Sequence, residues 1–357
     1  MQDEITQAVL AREDVAKYLR ATAGQTQAQA RERIHAYLDE LRTTQRYPIY
    51  RALKHPLYPI LRKVDRRVEH IDIVERATAA GRVIYVSNHK SHLDYLVEPL
   101  ALDDHGLRPP IIAAGINLFG GPLGLLHRHV TGAIPIRRDA KDPAYLVTLK
   151  AYIAELLHRH DLLFYLEGGR SYSGEIKSPK TGLLHATLQT GRQDIVVIPC
   201  AVAYDMVLED RILARQGTKR RQRPFSREIA EMVGTAVGYE SRSFTTFGEP
   251  IPLAGWDPAA RRDVMNLAYT IREAIGRLYK VLPSAIVASV MRPSLPVAAL
   301  ADLVAAQLPT LKDAGANLDL DDPRAIAERG AAVLLARDVI VAEHDLLRVR
   351  DRMVLRY

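Results

Sequence analysis

One cysteine in 357 residues, Cys200, leaves no partner for a disulfide framework and fits a reducing compartment. Long hydrophobic runs are missing too. No uninterrupted apolar stretch reaches the roughly 18 residues expected of a membrane span. Met1 to Glu4 leads into charged, helix-forming sequence that does not resemble a signal peptide, so a cytoplasmic location is expected. Several catalytic signatures are also absent. There is no G-x-S-x-G elbow, no H-E-x-x-H and no Cys/His metal spacing, so no metal is expected. Neither a G-x-G-x-x-G after a strand nor a Walker loop occurs, which removes support for nucleotide binding. Cys200 lies inside the apolar run 195–202 and reads as a core residue rather than a nucleophile.

What is present is an ordinary globular composition, 48% apolar, long enough to bury a large core in two or three units. The net charge of +7 points to an anionic partner: phosphate, nucleic acid or an acidic bilayer. Periodic apolar positions predict helices over 3–22 and 26–46, parted by Thr22-Ala23-Gly24-Gln25, as a helical hairpin. Residues 48–70 interleave Ile49, Tyr50, Leu53, Leu57 and Tyr58 with Arg51, Lys54, Arg62, Lys63, Arg66 and Arg67. That mixture suits the interface of an anionic bilayer, and equally a connector with solvated charges. From about residue 80, short apolar runs at 82–87, 110–114, 132–136, 161–166, 195–203 and 243–247 alternate with amphipathic segments, the clearest at 143–159. Alternation of this kind predicts an α/β domain over 80–290 with a largely parallel or mixed sheet flanked by helices. Residues 1–79 read as an N-terminal helical region and 291–357 as a helical C-terminal region. A basic run, 215–227, reads as an exposed loop or helix end.

The densest chemistry lies in Asn88-His89-Lys90-Ser91-His92-Leu93-Asp94, directly after the apolar strand Val83-Ile84-Tyr85-Val86. Ser91 has the chemistry of a helix N-cap. With His89 in the turn and Asp94 in the first helical turn, the carboxylate can fold back onto the imidazole. That is the arrangement of a histidine general base oriented by an acid. Taken alone, the pair also fits a structural histidine beside a solvated aspartate.

Three further blocks accompany it. Gly132 to Arg138 ends a short strand in two arginines, whose planar forks suit a phosphate. Phe164 to Ser171 places Glu167-Gly168-Gly169-Arg170-Ser171 after a buried strand, where paired glycines permit close approach of backbone to an anion. Lys177 and Lys180 follow. The fourth, 195–202, is an apolar strand carrying Pro199, where an interior strand should not have a proline.

Together these blocks resemble the H-x-x-x-x-D glycerolipid acyltransferases. The resemblance continues through Ala113 to Leu118, Pro179-Lys180-Thr181-Gly182, Ile198-Pro199 and Phe247 to Ile251, and covers residues 80–290. Order and spacing are similar to the bacterial membrane-associated glycerol-3-phosphate and dihydroxyacetone-phosphate acyltransferases. Two departures bear on the acceptor: Lys90 where that branch commonly has Arg, and Ile134-Pro135 in place of an aromatic pair. The resemblance implies acyl transfer from acyl-CoA or acyl-carrier protein, as co-substrate, to the sn-1 hydroxyl of glycerol 3-phosphate. No other cofactor is implied. His89 would be the base and Asp94 its orienting acid. Arg137, Arg170 and Lys180 would hold the phosphate, helped by Gly168, Gly169 and Ser171, with Glu167 positioning the turn. Lysophosphatidate, dihydroxyacetone phosphate or another headgroup is the alternative acceptor, and a silent lipid-binding protein the alternative class. Expected partners are the two substrates and the anionic inner face of the cell membrane, to which the protein is peripheral, and not nucleic acid.

Overall fold

The computed structural model describes residues 2–21, 24, 26–57, 64–138, 140–207, 209–216 and 241–356. Four helices open the chain: α1 (Gln2–Ala11), α2 (Glu13–Ala21), α3 (Gln27–Leu41) and α4 (Tyr47–Leu57). Strands and helices then alternate through β1 (Val64–Glu69), α5 (Ile71–Ala80), β2 (Arg82–Ser87), α6 (Asp94–Asp104), β3 (Ile111–Gly115), α7 (Gly121–His129) and β4 (Ala133–Ile136). Next come α8 (Pro143–Leu156), β5 (Leu162–Tyr165), α9 (Gly182–Leu188), β6 (Ile195–Tyr204), α10 (Asp210–Gln216), β7 (Ser241–Phe247), β8 (Ile251–Pro252) and α11 (Arg261–Leu278).

The eight-stranded sheet runs β1-β7-β6-β2-β5-β3-β4, with β8 also on β6. β2 is parallel to both β5 and β6, and β3 to β4 and β5; β7 turns antiparallel to β6 and takes β1 parallel beside it. The sheet is therefore mixed, flanked by helices, in the α/β class. β2 is apolar on both faces because it is covered on both, and its residues 83–86 are all buried. Pro199 fits inside β6 because its carbonyl accepts from Gly248 N (2.8 Å) in the break between β7 and β8, where a missing N–H loses no ladder bond.

α1, α2 and α3 pack on α8. Val9, Val15, Ile34, Leu38 and Leu41 face Tyr145, Leu149 and Tyr152 in one core. Ile34 is fully buried, so truncation to Ala would cost about 2–5 kcal/mol. α8 itself starts cleanly: Asp142 accepts from Ala144 N at 3.0 Å, and Pro143 at the first turn gives up an N–H that would be unpaired anyway.

After β9 (Lys280–Val281) a last unit begins at α12 (Pro283–Val290). It continues through β10 (Ser294–Pro296), α13 (Leu300–Asp313), β11 (Asn317–Leu318), α14 (Pro323–Ala336), β12 (Ile340–Glu343), β13 (Leu346–Val349) and α15 (Arg352–Arg356). Its three main helices pack on one another, and β10-β13-β12 form a small antiparallel sheet.

Several expectations change. The helix expected over 3–22 is two, broken at Arg12, whose guanidinium donates to Glu155 Oε1 (3.0 Å) and Asp14 Oδ1 (3.3 Å). The helix expected over 26–46 stops at Leu41. Residues 48–70 are not one surface segment. They enter α4 and then β1, where Val64 is buried and Arg66 is bound to Asp104. Residues 58–63 lie outside the described residues, as does the basic run at 217–227. The C-terminal region carries strands as well as helices. Its short β10, β12 and β13 hold only one buried position each, too few to show a period. That unit starts at α12, before residue 291, because Ile286 and Val287 join its core.

Candidate active site

The carboxyl ends of β2, β5, β3, β4 and β6 converge on the turn after β2, the edge where open α/β sheets place ligands. There His89 Nδ1 lies 2.8 Å from Asp94 Oδ2. Oδ2 also accepts from Lys90 N (2.7 Å) and Ser91 N (2.9 Å), and Oδ1 accepts from Tyr204 Oη (2.7 Å). A carboxylate oxygen can only accept here, so Nδ1 carries the proton and Nε2 is left as the basic nitrogen. Asp94 is wholly buried while the His89 side chain keeps 12% exposure, enough for a substrate to reach the ring. Burial pulls the His89 pKa below the usual histidine value. Asp94 opposes that pull, and Arg170 and Arg138 add to it.

Ser91 is not the N-cap; Leu93 is, and α6 begins at Asp94. The Ser91 hydroxyl instead accepts from Leu93 N (3.0 Å) and donates to Glu209, which also accepts from His92 N (2.6 Å). The loop is thus wired through side chains where a regular helix start would use its own backbone.

Glu167 joins the two turns: Oε1 accepts from His89 N (3.0 Å) and Oε2 from Lys177 N (3.0 Å). Ser171 N donates to the His89 carbonyl (2.8 Å) and its hydroxyl to Glu175 O (2.7 Å). Gly168 has φ +64°, which favours glycine, and a Cβ there would crowd Lys180 Cγ at 3.1 Å. Lys180 N donates to Leu166 O (2.8 Å) and keeps its exposed side chain beside this turn.

The structure does not bring all the arginines together. Arg137 points away from the turn: it pairs with Glu40 of α3 and lies over the rings of Tyr37 and Tyr145. Arg138 is the one at the site. A Cβ on Gly115 would lie 3.0 Å from its Nη2, and one on Gly169 would lie 3.6 Å from its Nη1. Its guanidinium therefore spans the ends of β3 and β5 at backbone distance. Arg170 is 9% exposed and faces buried Glu209 at 3.5 Å. Lys177 Nζ donates to Arg170 O (2.7 Å); burial, Arg138, Lys180 and Arg170 lower its pKa, opposed by Glu167. Four cations thus crowd one glycine turn. Among the described residues no group of three or more His, Cys, Asp or Glu is arranged to hold a metal ion.

Other residues of the site carry no role assigned from the sequence. Asn88 Oδ1 accepts from Val202 N (2.7 Å) and Nδ2 donates to Val202 O (3.0 Å) and Tyr279 Oη (2.7 Å), fixing the turn to β6 and to the residue after α11. Tyr165 stacks on the His89 ring (centroids 4.0 Å, planes 11° apart) and donates to Glu98 Oε2 at 3.0 Å. Burial, reinforced by Asp94, pushes the Glu98 pKa up to about 8. Glu98 stands four residues after Asp94, on one helix face, which is a readable spacing. Tyr204, Glu209 and Tyr279 are remote in sequence, and no local signal marks them.

Residues 66–203 match the family model described as acyltransferase. A glycerol-3-phosphate acyltransferase of Pseudomonas syringae pv. tomato is 36% identical over 240 residues, covering 64% of this chain and 28% of that protein. One from Actinobacillus succinogenes is 34% identical over 238 residues, with 64% and 29% covered. The chain's matched stretch therefore spans under a third of the length of these relatives. A crystal structure of a 1-acyl-sn-glycerophosphate acyltransferase from Thermotoga maritima aligns at TM-score 0.36 and 16% identity, covering 77% of this chain and 85% of that one. On the family match and these sequence identities, this chain is similar to the acyltransferase family over residues 66–203.

Proposed function

We propose that the protein transfers a fatty acyl group from a thioester to the sn-1 hydroxyl of glycerol 3-phosphate. The observation that carries this reading is the His89–Asp94 contact at 2.8 Å, with Nε2 left as the basic nitrogen. Nε2 takes the hydroxyl proton as the oxygen attacks the thioester carbonyl. The imidazolium, held against Asp94, then returns the proton to the departing thiolate. A thioester is already activated, so no acyl-enzyme is called for. The relatives named for glycerol 3-phosphate support the acceptor, and the cations at the glycine turn supply its phosphate site. Arg138, Lys177 and Lys180 would hold the phosphate, with Arg170 behind them bracing the turn. Arginine is favoured because its fork binds two phosphate oxygens at once.

His89→Ala tests the chemistry. Turnover of palmitoyl-CoA with glycerol 3-phosphate should be lost while the circular dichroism of the folded protein is kept. Substantial turnover by that variant would overturn the assignment. An acceptor panel including dihydroxyacetone phosphate and lysophosphatidate, with product analysis, tests the substrate, and parallel assays with acyl-carrier protein test the donor.

Among the described residues no helix is long and apolar enough to cross a membrane. The reading therefore includes peripheral attachment to an anionic bilayer on the cytoplasmic side. Exposed Ile49 with Arg51 on α4, and exposed Leu125 on α7, support it. Co-sedimentation with phosphatidylglycerol vesicles should weaken as salt rises, because exposed charges are screened over about 8 Å at physiological ionic strength. Absence of binding to any vesicle would overturn it.

A further inference from the structure

A cavity of about 590 Å³ lies between the carboxyl end of β6 and the C-terminal unit. Its lining includes Lys90 and Tyr204. Lys90 follows the proposed base directly, and Tyr204 is the hydroxyl that holds Asp94. Much of the lining is aliphatic and comes from several elements: Met206 after β6, Leu282 and Ala288 at α12, Val333 of α14, and Val354 and Leu355 of α15. Several charged groups on the lining are already paired. Asp205 pairs with Arg242, Asp210 with Arg337, and Lys280 with Glu69 at 2.6 Å. Arg352 and Arg356 also line it and are exposed, so the ligand it suits is one with a long apolar part for the aliphatic wall.

α12 shows how the space is kept. Ile286 and Val287 are buried in the core of the C-terminal unit, whereas Ala285 and Ala288, on the cavity side, are small and at least partly exposed. Bulky residues on that face would fill the space. The volume falls within the roughly 300–1,000 Å³ of small-ligand sites.

We infer that this cavity houses the fatty chain of the acyl donor, so that α12, α14 and α15 set donor chain length. The inference rests on the acyl-transfer reading above and extends it to a part of the chain outside the family match, which ends at residue 203. A chain lying here places its carbonyl end toward Lys90 and Tyr204, beside the His89 turn, and keeps its methylenes out of water. Each methylene so buried is worth about fourfold in affinity.

Ala288→Trp tests this, because the indole enters open space and displaces no core residue. Steady-state transfer to glycerol 3-phosphate is measured with octanoyl, lauroyl and palmitoyl thioesters. The KM for the palmitoyl donor should rise on the order of tenfold or more. The KM for the octanoyl donor and for glycerol 3-phosphate should stay as they were. Ala285→Ser, of nearly unchanged size, should leave the chain-length profile intact and serves as the control. A folded Ala288→Trp protein with an unchanged profile, or with equal losses for all donors, overturns the inference. Direct binding of cis-parinaric acid separates this from the fate of the transferase reading. Probe binding that Ala288→Trp weakens, in a chain that turns over nothing, keeps the cavity assignment and overturns the transferase reading. Turnover together with probe binding indifferent to the substitution overturns the cavity assignment alone.

Discussion

Asp94→Asn isolates the charge from the geometry it organises. In the structure Asp94 Oδ2 receives three N–H donors, from His89 Nδ1, Lys90 N and Ser91 N, and Oδ1 receives the Tyr204 hydroxyl. Asparagine can keep that pattern in one orientation. Its oxygen must face the three donors, so its amide nitrogen donates to the Tyr204 oxygen and one amide hydrogen is left over. The turn should therefore persist, but three charge-assisted bonds become neutral ones at about 1 kcal/mol each. A loss near 3 kcal/mol is expected in urea unfolding, with the fold intact. Catalysis suffers more, because the imidazolium formed during proton transfer loses its counter-charge in a buried site. In a comparable triad the same substitution lowers kcat about 10⁴-fold through a wrong tautomer; with the tautomer kept here, the lost counter-charge alone should cost on the order of 10²-fold or more. The pH profile gives a second, independent readout. Burial lowers the His89 pKa and Asp94 props it up, so the variant's histidine should titrate lower still. Only the unprotonated ring acts as base, hence the acid limb of kcat/KM moves to lower pH even as the plateau falls. Turnover within about tenfold of the parent, or an acid limb displaced upward, would refute the reasoning.

Arg138→Ala should raise the KM for glycerol 3-phosphate and spare that for the thioester, whereas Arg137→Ala, which breaks the Glu40 pair on the far side, should leave both unchanged. Steady-state kinetics of the pair decides between the two neighbours. Asn88→Ala removes three buried hydrogen bonds to Val202 and Tyr279 and should cost about 2–4 kcal/mol in urea unfolding. Glu98 has its pKa raised to about 8 from a usual 4.5, so its ionisation penalises the fold progressively as pH rises from 4.5 to 8. Glu98→Gln, which does not titrate, should therefore gain stability over the parent across that window, by at most about 5 kcal/mol, and parallel unfolding curves at pH 5 and pH 8.5 show it. Gly168→Ala forces a side chain into positive φ against Lys180 and should cost about 1–2 kcal/mol, with weaker phosphate binding.

How much of this could be read in advance follows from how local each signal is. The strand at 82–87 is legible because every residue from 83 to 87 is buried, so the run is uninterrupted. His89 and Asp94 are legible because one turn brings them together and the partners lie within five residues. β1 is illegible for the opposite reason. Val-Asp-Arg-Arg-Val-Glu is an edge strand with one buried residue, and what makes it a strand is β7, some 177 residues away in register.

The choice between Arg137 and Arg138 shows the limit more sharply. Adjacent residues leaving a strand point to opposite sides, so one faces the site and the other faces α3. Sequence establishes that opposition but not its sign, which depends on whether Ile136 ends the strand facing the helices or the glycine turn. Here Tyr145 Oη accepts from Arg137 N (2.8 Å), and the Tyr37 and Tyr145 rings take the Arg137 guanidinium, so the sign is set by two aromatic residues outside every block that carries chemistry. The same holds for the base itself. Its tautomer comes from Asp94, but Asp94 is held by Tyr204 of β6, and the turn by its own Asn88, by Glu167 of the glycine turn and by Glu209 at the entry to α10. A site whose chemistry is local can still owe its geometry to the whole sheet edge, and that edge exists only once the chain has folded.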